Sequence, residues 1–345
     1  MPKIVVTRNV GEDAMAILKS SPFEIIVNPD DAPAPRKWIL DNVSDPDVVG
    51  VCIMHGQPGD KVDEEFLGKC GEGVKVISTF SVGFDHINVK AANARGIKIG
   101  HTPGVLSDSV ADICVMLTLM TMRRVEEGIQ LIKSGGWPTL PWAPFVMCGP
   151  SISSPGLTIG FLGFGRISQQ TLRRLLVFTS KSHPPNIVYL SSRARPNQAE
   201  IDADWTKEFG VKVERKEKEE VAAASDILIV LCNQTEETVN MVNKDFLRKM
   251  KKTAVLVNGA RGPIVNSEDL AEALNNNEIF GAGLDVITGE PNIGPDHPLV
   301  KAKNCVVIPH MGSADIDTRK KMAELCVRNA IQGAKGEALL AEVKV

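Results

Sequence analysis

The chain has 345 residues, a length that suggests two domains. Hydrophobic residues make up 43% and charged residues 23%, a globular balance with enough apolar material for a sizeable core. The net charge of −3 and pI near 6.1 leave no broad basic field, which argues against nucleic acid as a partner and means that a small anion must be caught by a local cation.

The N-terminal MPKIVVTRNV enters a strand-like run directly, with no cleavable signal, and the C-terminal EVKV is not the usual peroxisomal tripeptide. The longest uncharged apolar run, ICVMLTLMTM (113–122), is shorter than the roughly 20 residues of a spanning helix. The seven cysteines form no C-x-x-C pair and read as reduced thiols, several of them in apolar runs. A cytoplasmic protein with no membrane span and no metal is the expectation.

Strand candidates are KIVV (3–6), FEIIV (23–27), DVVGVCIM (47–54), VKVISTF (74–80) and GIKIG (96–100). A second series is LTIGFLG (157–163), NIVYL (186–190), DILIVLC (226–232), TAVLVN (253–258), GAGLDV (281–286) and CVVIP (305–309). Continuous apolar strands separated by helix-length segments indicate parallel sheets covered on both faces, and two series indicate two α/β units. Between them, SDSVADICVMLTLMTMRRVEEGIQLIKSGG reads as one long helix crossing from unit to unit, with Ser109-x-x-Asp112 as a candidate capping box. WPTLPWAPFVMCGPSISSPG reads as an extended arm or a plain surface loop. The mixed-sign run KVERKEKEE (212–220) reads as a solvated face without function.

LTIGFLG leads into Gly163-Phe164-Gly165-Arg166-Ile167-Ser168 and then a helical pattern. This is a G-x-G-x-x-G arrangement with Ser in the third place. The first glycine permits the turn, the second lets backbone approach a pyrophosphate, and the helix N-terminus meets the anion. Ser168 is small, so close packing is weakened but not refused. An NAD site usually carries an acid at the end of the next strand; here that strand ends in Ser191-Ser192-Arg193-Ala194-Arg195. Hydroxyls and guanidiniums suit a 2′-phosphate, so NADPH is expected, with NADH as the lesser possibility. Solvated loop arginines are the plain alternative.

Arg261, Asp285, Glu290 and His310 follow three successive strands of the second series, where ligands of open α/β sheets bind. Each alone reads as a cap, a turn residue or a structural hydrogen-bonder; their joint placement beside a dinucleotide loop favours chemistry. Reduction of a 2-keto acid needs a hydride to C2 and a proton to the ketone oxygen. His310 can supply the proton, Glu290 can orient the ring, and Arg261 can hold the substrate carboxylate. Asp285 can accept a hydrogen bond from a nicotinamide carboxamide.

These residues, with STFSVGFDHINV (78–89), RGIKIGHTPGVLSDSVAD (95–112), KDFLRKMKKTAVLVNGARGPIVN (244–266) and NCVVIPHMGSA (304–314), carry a resemblance. From about residue 47 onward the chain resembles the D-2-hydroxyacid dehydrogenases, and within them the glyoxylate/hydroxypyruvate reductases. The resemblance implies an α/β fold of two Rossmann-like, doubly wound domains with the active site in the cleft between them. The substrate domain would comprise 1–106 and 311–345, and the dinucleotide-binding domain 107–310. It implies Arg261, Glu290 and His310 as the catalytic set, and substrate contacts from Val82, Gly83, Arg261, His310 and Ser313. Cofactor contacts would come from Gly163, Phe164, Gly165, Arg166, Ile167, Ser192, Arg193, Arg195, Asn233, Gly259, Ala260, Asp285 and Gly312. It further implies a homodimer built by the long helix and the aromatic arm near 137–147, with Trp142 or Phe145 reaching the partner's site. Ala260 stands where the family commonly has Ser, and the arm differs in length and aromatic placement. The competing readings are a broader-specificity D-2-hydroxyacid dehydrogenase and a nucleotide-sensing corepressor-like binding protein; the latter is disfavoured by the absence of an extended C-terminal tail.

Overall fold

A computed structural model describes residues 1–30, 32–54 and 58–344. The chain forms two compact units, Met1–Leu106 with Ser313–Val345, and Ser107–Gly312. No helix among the described residues is long and apolar enough to cross a membrane.

The first unit is built on β1 (Lys3–Val6), β2 (Glu24–Val27), β3 (Val48–Ile53), β4 (Val76–Thr79) and β5 (Lys98–Gly100). All neighbours are parallel, in the order β2-β1-β3-β4-β5. This is the 2-1-3-4-5 order of flavodoxin-like sheets. β4 is buried at every position, as a strand covered on both faces must be. The helix Ile316–Lys335 packs against β3 and β4. Gly333 permits that approach, because a Cβ there would fall 2.4 Å from the Cβ of Val76. Asn329, fully buried in the same helix, donates to the carbonyl of His101 and accepts from the N–H of Ala341, both at 3.0 Å. Its amide is thereby satisfied without water.

The second unit is built on β6 (Thr158–Leu162), β7 (Asn186–Leu190), β8 (Val213–Arg215), β9 (Ile227–Val230), β10 (Val255–Asn258), β11 (Gly281–Leu284) and β12 (Cys305–Val307). Its order is β12-β11-β10-β9-β6-β7-β8, again all parallel. Counted from β6, this is the Rossmann order 3-2-1-4-5-6 with a seventh strand added. All seven carboxyl ends therefore lie on one edge. The order reverses between β6 and β9, which opens a crevice at that edge for a ligand.

Three local expectations are corrected. The long helix is two helices, Ser107–Met122 and Val125–Lys133, and both belong to the second unit. Arg124 breaks it with φ +52°; its guanidinium bonds Glu127 and lies 6.0 Å from the ring centre of Phe280. The capping box is absent: Ser109 lies inside the helix, and Asp112 pairs with Arg174 at 2.5 Å. The charged run at 212–220 is not merely a solvated face. Val213 is buried, β8 occupies 213–215, and Glu217 with Glu220 caps the helix Lys218–Ala224.

Candidate active site

The glycine turn follows β6 directly. Gly163 has φ +87°, and a Cβ there would lie 2.8 Å from the backbone of Cys232, so only glycine fits. Gly165 opens the helix Arg166–Phe178. No side chain caps that helix among the described residues, and nothing lies within 4 Å of the position a Gly165 Cβ would take. Open space in front of an uncapped helix N-terminus is the shape a pyrophosphate needs, so these residues fit a dinucleotide. Ser168 is fully buried and donates to the carbonyl of Gly163 at 2.7 Å. The missing third glycine is thus replaced by a hydrogen bond that ties helix to turn. Phe164 anchors the turn sideways, stacked 4.5 Å from Tyr189 and edge-on to Phe161, Trp205 and Phe209. Arg166 is exposed and Ile167 half-buried.

Ser192, Arg193 and Arg195 are exposed on the loop after β7. Asn233 is exposed beyond β9, and its carbonyl accepts from the hydroxyl of Thr238 at 2.8 Å.

Beyond β10, the chain turns through Gly259, Ala260 and Arg261. Asn258, buried at the strand's end, folds this turn: its Nδ2 donates to the carbonyl of Arg261 at 2.9 Å and its Oδ1 accepts from the N–H of Ala260 at 3.0 Å. Arg261 donates to the carbonyl of Ala260 at 2.8 Å. At Gly259 a Cβ would meet Cys114 Sγ at 2.7 Å, so a side chain there would have to displace the buried thiol. Asn258 was missed in the sequence; an Asn that ends a strand before Gly was its only signal.

His310 Nδ1 lies 3.0 Å from Glu290 Oε1, and Glu290 Oε2 accepts from the N–H of Ile287 at 3.3 Å. A carboxylate only accepts, so Nδ1 carries a proton and Nε2 is the nitrogen that can exchange one. The His310 side chain is 36% exposed, accessible to a small molecule. Its backbone is left-handed, φ +50°, an uncommon state for a non-glycine residue.

Asp285, 2% exposed, holds that turn. Its carboxylate accepts from the N–H of Met311 at 2.5 Å and of Gly312 at 2.9 Å. Both oxygens are therefore engaged by backbone, a role the sequence did not disclose. The same bonds keep Met311 and Gly312 with the second unit. Burial pushes the Asp285 carboxyl above its ordinary value of 3.8; the charge of His310 and the two backbone donors pull against it, and Glu290 adds to the rise.

In the first unit, the loop after β4 turns its carbonyls inward. Thr102 N–H bonds the Ser81 carbonyl at 2.8 Å, His101 Nδ1 the Val82 carbonyl at 3.0 Å, and Ser81 Oγ the Gly83 carbonyl at 2.6 Å. Thr79 Oγ1 links Ser81 Oγ at 2.9 Å to His86 Nε2 at 3.0 Å. Among the described residues, no backbone acceptor engages the N–H of Val82 or Gly83. Ser313 is half-buried, and its carbonyl accepts from Arg319 at 3.0 Å.

Comparison with known proteins fits this geometry. Residues 115–312 match the family described as D-isomer specific 2-hydroxyacid dehydrogenase, NAD binding domain. The chain belongs to that family. This dehydrogenase is 39% identical over 335 residues to a glyoxylate reductase/hydroxypyruvate reductase from Mus musculus, covering 97% of this chain and 95% of that one. It is 40% identical over 337 residues to a glyoxylate reductase from Thermofilum pendens, covering 97% and 92%. It superposes with a TM-score of 0.79, at 29% identity and covering 99% and 96%, on an NADPH-dependent glyoxylate/hydroxypyruvate reductase from Sinorhizobium meliloti solved with NADP and malonate. The dehydrogenase is thus an oxidoreductase with two Rossmann-like domains, and it uses a nicotinamide cofactor. A bound nicotinamide supplies hydride; the protein's own task is to position the substrate and deliver a proton.

Proposed function

We propose that this dehydrogenase reduces a small 2-keto acid, glyoxylate or hydroxypyruvate, to the 2-hydroxy acid at the expense of NADPH. The observation that carries the reading is the His310–Glu290 pair, standing on the same edge of the sheet as the glycine turn. In that reading Arg261 holds the keto acid and polarises its ketone. His310 delivers a proton from Nε2 to the ketone oxygen, and Glu290 holds the ring in place through Nδ1. The N–H groups of Val82 and Gly83, together with Ser313, receive the substrate carboxylate. Gly163, Phe164, Gly165, Arg166 and Ile167 cradle the pyrophosphate, while Asn233 lies toward the adenosine-side ribose or the pyrophosphate. Gly259, Ala260, Asp285 and Gly312 border the nicotinamide. Ser192, Arg193 and Arg195, with no acid among them, favour NADPH over NADH. The names of the relatives support the same substrates.

The protein acts as a homodimer in this reading. The helix Val125–Lys133 buries no residue within the chain, and Trp142 and Phe145 are 90% and 89% exposed. Apolar side chains so exposed mark a surface that a second copy can cover.

A steady-state panel of glyoxylate, hydroxypyruvate, pyruvate and phenylpyruvate with NADPH and NADH tests the substrate. His310→Ala should cut kcat by about a thousandfold while NADPH still binds. Full turnover in that variant would remove His310 from the chemistry. Light scattering at micromolar concentration tests the dimer, and Trp142→Ser with Phe145→Ser should shift it toward monomer.

A further inference from the structure

Arg215, in a charged run that read as plain surface, is mostly buried: only 9% of its side chain is exposed. It ends β8 opposite Tyr189 of β7, and its guanidinium reaches forward to the residue that follows β7. Nε donates to Ser191 Oγ at 3.1 Å, and a terminal nitrogen approaches the Ser191 carbonyl at 3.5 Å. The other terminal nitrogen bonds Glu217 at 2.6 Å. Ser191 Oγ in turn donates to the carbonyl of Arg193 at 3.2 Å. One hydroxyl therefore joins Arg215 to the loop that carries Ser192, Arg193 and Arg195. The far end of that loop is also fixed. Gln198 accepts from the N–H of Arg195 at 3.2 Å and donates to Tyr189 and Asp202, each at 2.8 Å. Asp202 closes the circuit by accepting the N–H of Arg215 at 3.0 Å.

We propose that Arg215 is the positioning residue that shapes the 191–195 loop for the 2′-phosphate of NADPH. The proposal rests on the NADPH reading above. Three of its five guanidinium N–H donors are engaged, two of them on Ser191, and it is through Ser191 that Arg215 reaches the loop. A 2′-hydroxyl needs little from this loop, whereas a phosphate needs several donors in fixed places. Losing the loop's shape therefore weakens NADPH and spares NADH. Lysine cannot replace the arginine, because a single ammonium cannot make the planar two-point contact with Ser191 Oγ and its carbonyl.

Calorimetric titration with 2′,5′-ADP and with AMP, on wild type, Arg215→Lys, Arg215→Leu, Ser191→Ala and Arg215→Leu/Ser191→Ala, tests this without turnover. Each single variant should bind 2′,5′-ADP about tenfold more weakly, the size of one lost charge-assisted bond, with AMP unchanged. The double variant should be no worse than Arg215→Leu, because both changes break one relay. An Arg215→Lys protein that binds 2′,5′-ADP like wild type would reduce Arg215 to a general positive charge and overturn the proposal. Equal loss for both ligands would make it merely structural, with the same consequence. If an Arg215 variant fails to fold, Ser191→Ala alone decides. Wild type binding 2′,5′-ADP no better than AMP would instead sink the NADPH reading itself. Wild-type preference that survives in Arg215→Leu sinks only the role of Arg215.

Discussion

Asp285 holds His310 in its left-handed conformation from both sides of the peptide. The Asp285 carbonyl accepts the N–H of His310 at 2.9 Å, and its carboxylate takes the next two N–H groups. A positive φ at a non-glycine residue costs on the order of 1–3 kcal/mol and persists only where surrounding bonds impose it. Here three bonds from one buried residue impose it, and the result aims the imidazole at Glu290.

Asp285→Asn should therefore lower kcat and cost about 1–3 kcal/mol of stability at neutral pH, because an amide nitrogen would face a backbone N–H. The pH dependence has a definite sign. Burial raises the folded-state pKa of Asp285 above 3.8. A group raised on folding contributes stability that is fully present below its unfolded value and lost as pH rises through the folded one. Wild type should thus gain on Asp285→Asn as pH falls from the raised value to 3.8. Paired urea melts at pH 7 and at about pH 4 check this. A gap that narrows on acidification would mean that the two backbone donors outweigh burial.

Asn258→Ala removes both bonds that fold the turn carrying Arg261. Asn258 is buried, so the N–H of Ala260 loses an acceptor that water cannot readily replace, and the carbonyl of Arg261 is left with the N–H of Ile264 at 3.3 Å. Stability should fall by about 1–3 kcal/mol, and kcat/KM for the keto acid should fall by about tenfold or more. An unchanged kcat/KM in a variant with a lowered melting temperature would confine Asn258 to a structural role.

Gly262→Ala should be worse than its one methyl suggests. The added Cβ would lie 2.2 Å from the carbonyl carbon of Ile287, on the segment that leads to Glu290. Backbone must move, at a cost of about 1–3 kcal/mol or more, and the Glu290–His310 pair moves with it. Soluble expression with normal turnover would contradict the close approach.

β6, β9 and β10 were legible in the sequence because each is a mainly apolar run, buried throughout. Gly163, Gly165, Glu290 and His310 stood out through spacing and strand-end placement. β8 was hidden because Val213 is the one apolar residue of its three, the others being charged. The helix break at Arg124 carries no Gly or Pro to signal it; a long-range contact with Phe280 and a local one with Glu127 fix it. The grip of Asp285 on Met311 spans 26 residues, beyond the reach of any local pattern.

The loop of Ser81, Val82 and Gly83 gives the last prediction. His101 Nδ1 engages the Val82 carbonyl, and its ring meets Phe84 edge-on with centres 6.0 Å apart. His101→Phe keeps a ring against Phe84 but removes the donor. The Val82–Gly83 peptide is then free to rotate, and in the proposed reading the N–H of Gly83 loses its aim at the substrate carboxylate, while the N–H of Val82 stays held through the Ser81 carbonyl and Thr102. Because a carboxylate is bound alike in substrate and transition state, the loss should appear in KM and leave kcat nearly unchanged. A rise of about tenfold in KM corresponds to one weakened charge-assisted hydrogen bond. NADPH affinity, measured by fluorescence titration, should not move. A fall in kcat with KM unchanged would place His101 in the proton-transfer step and remove Gly83 from carboxylate binding.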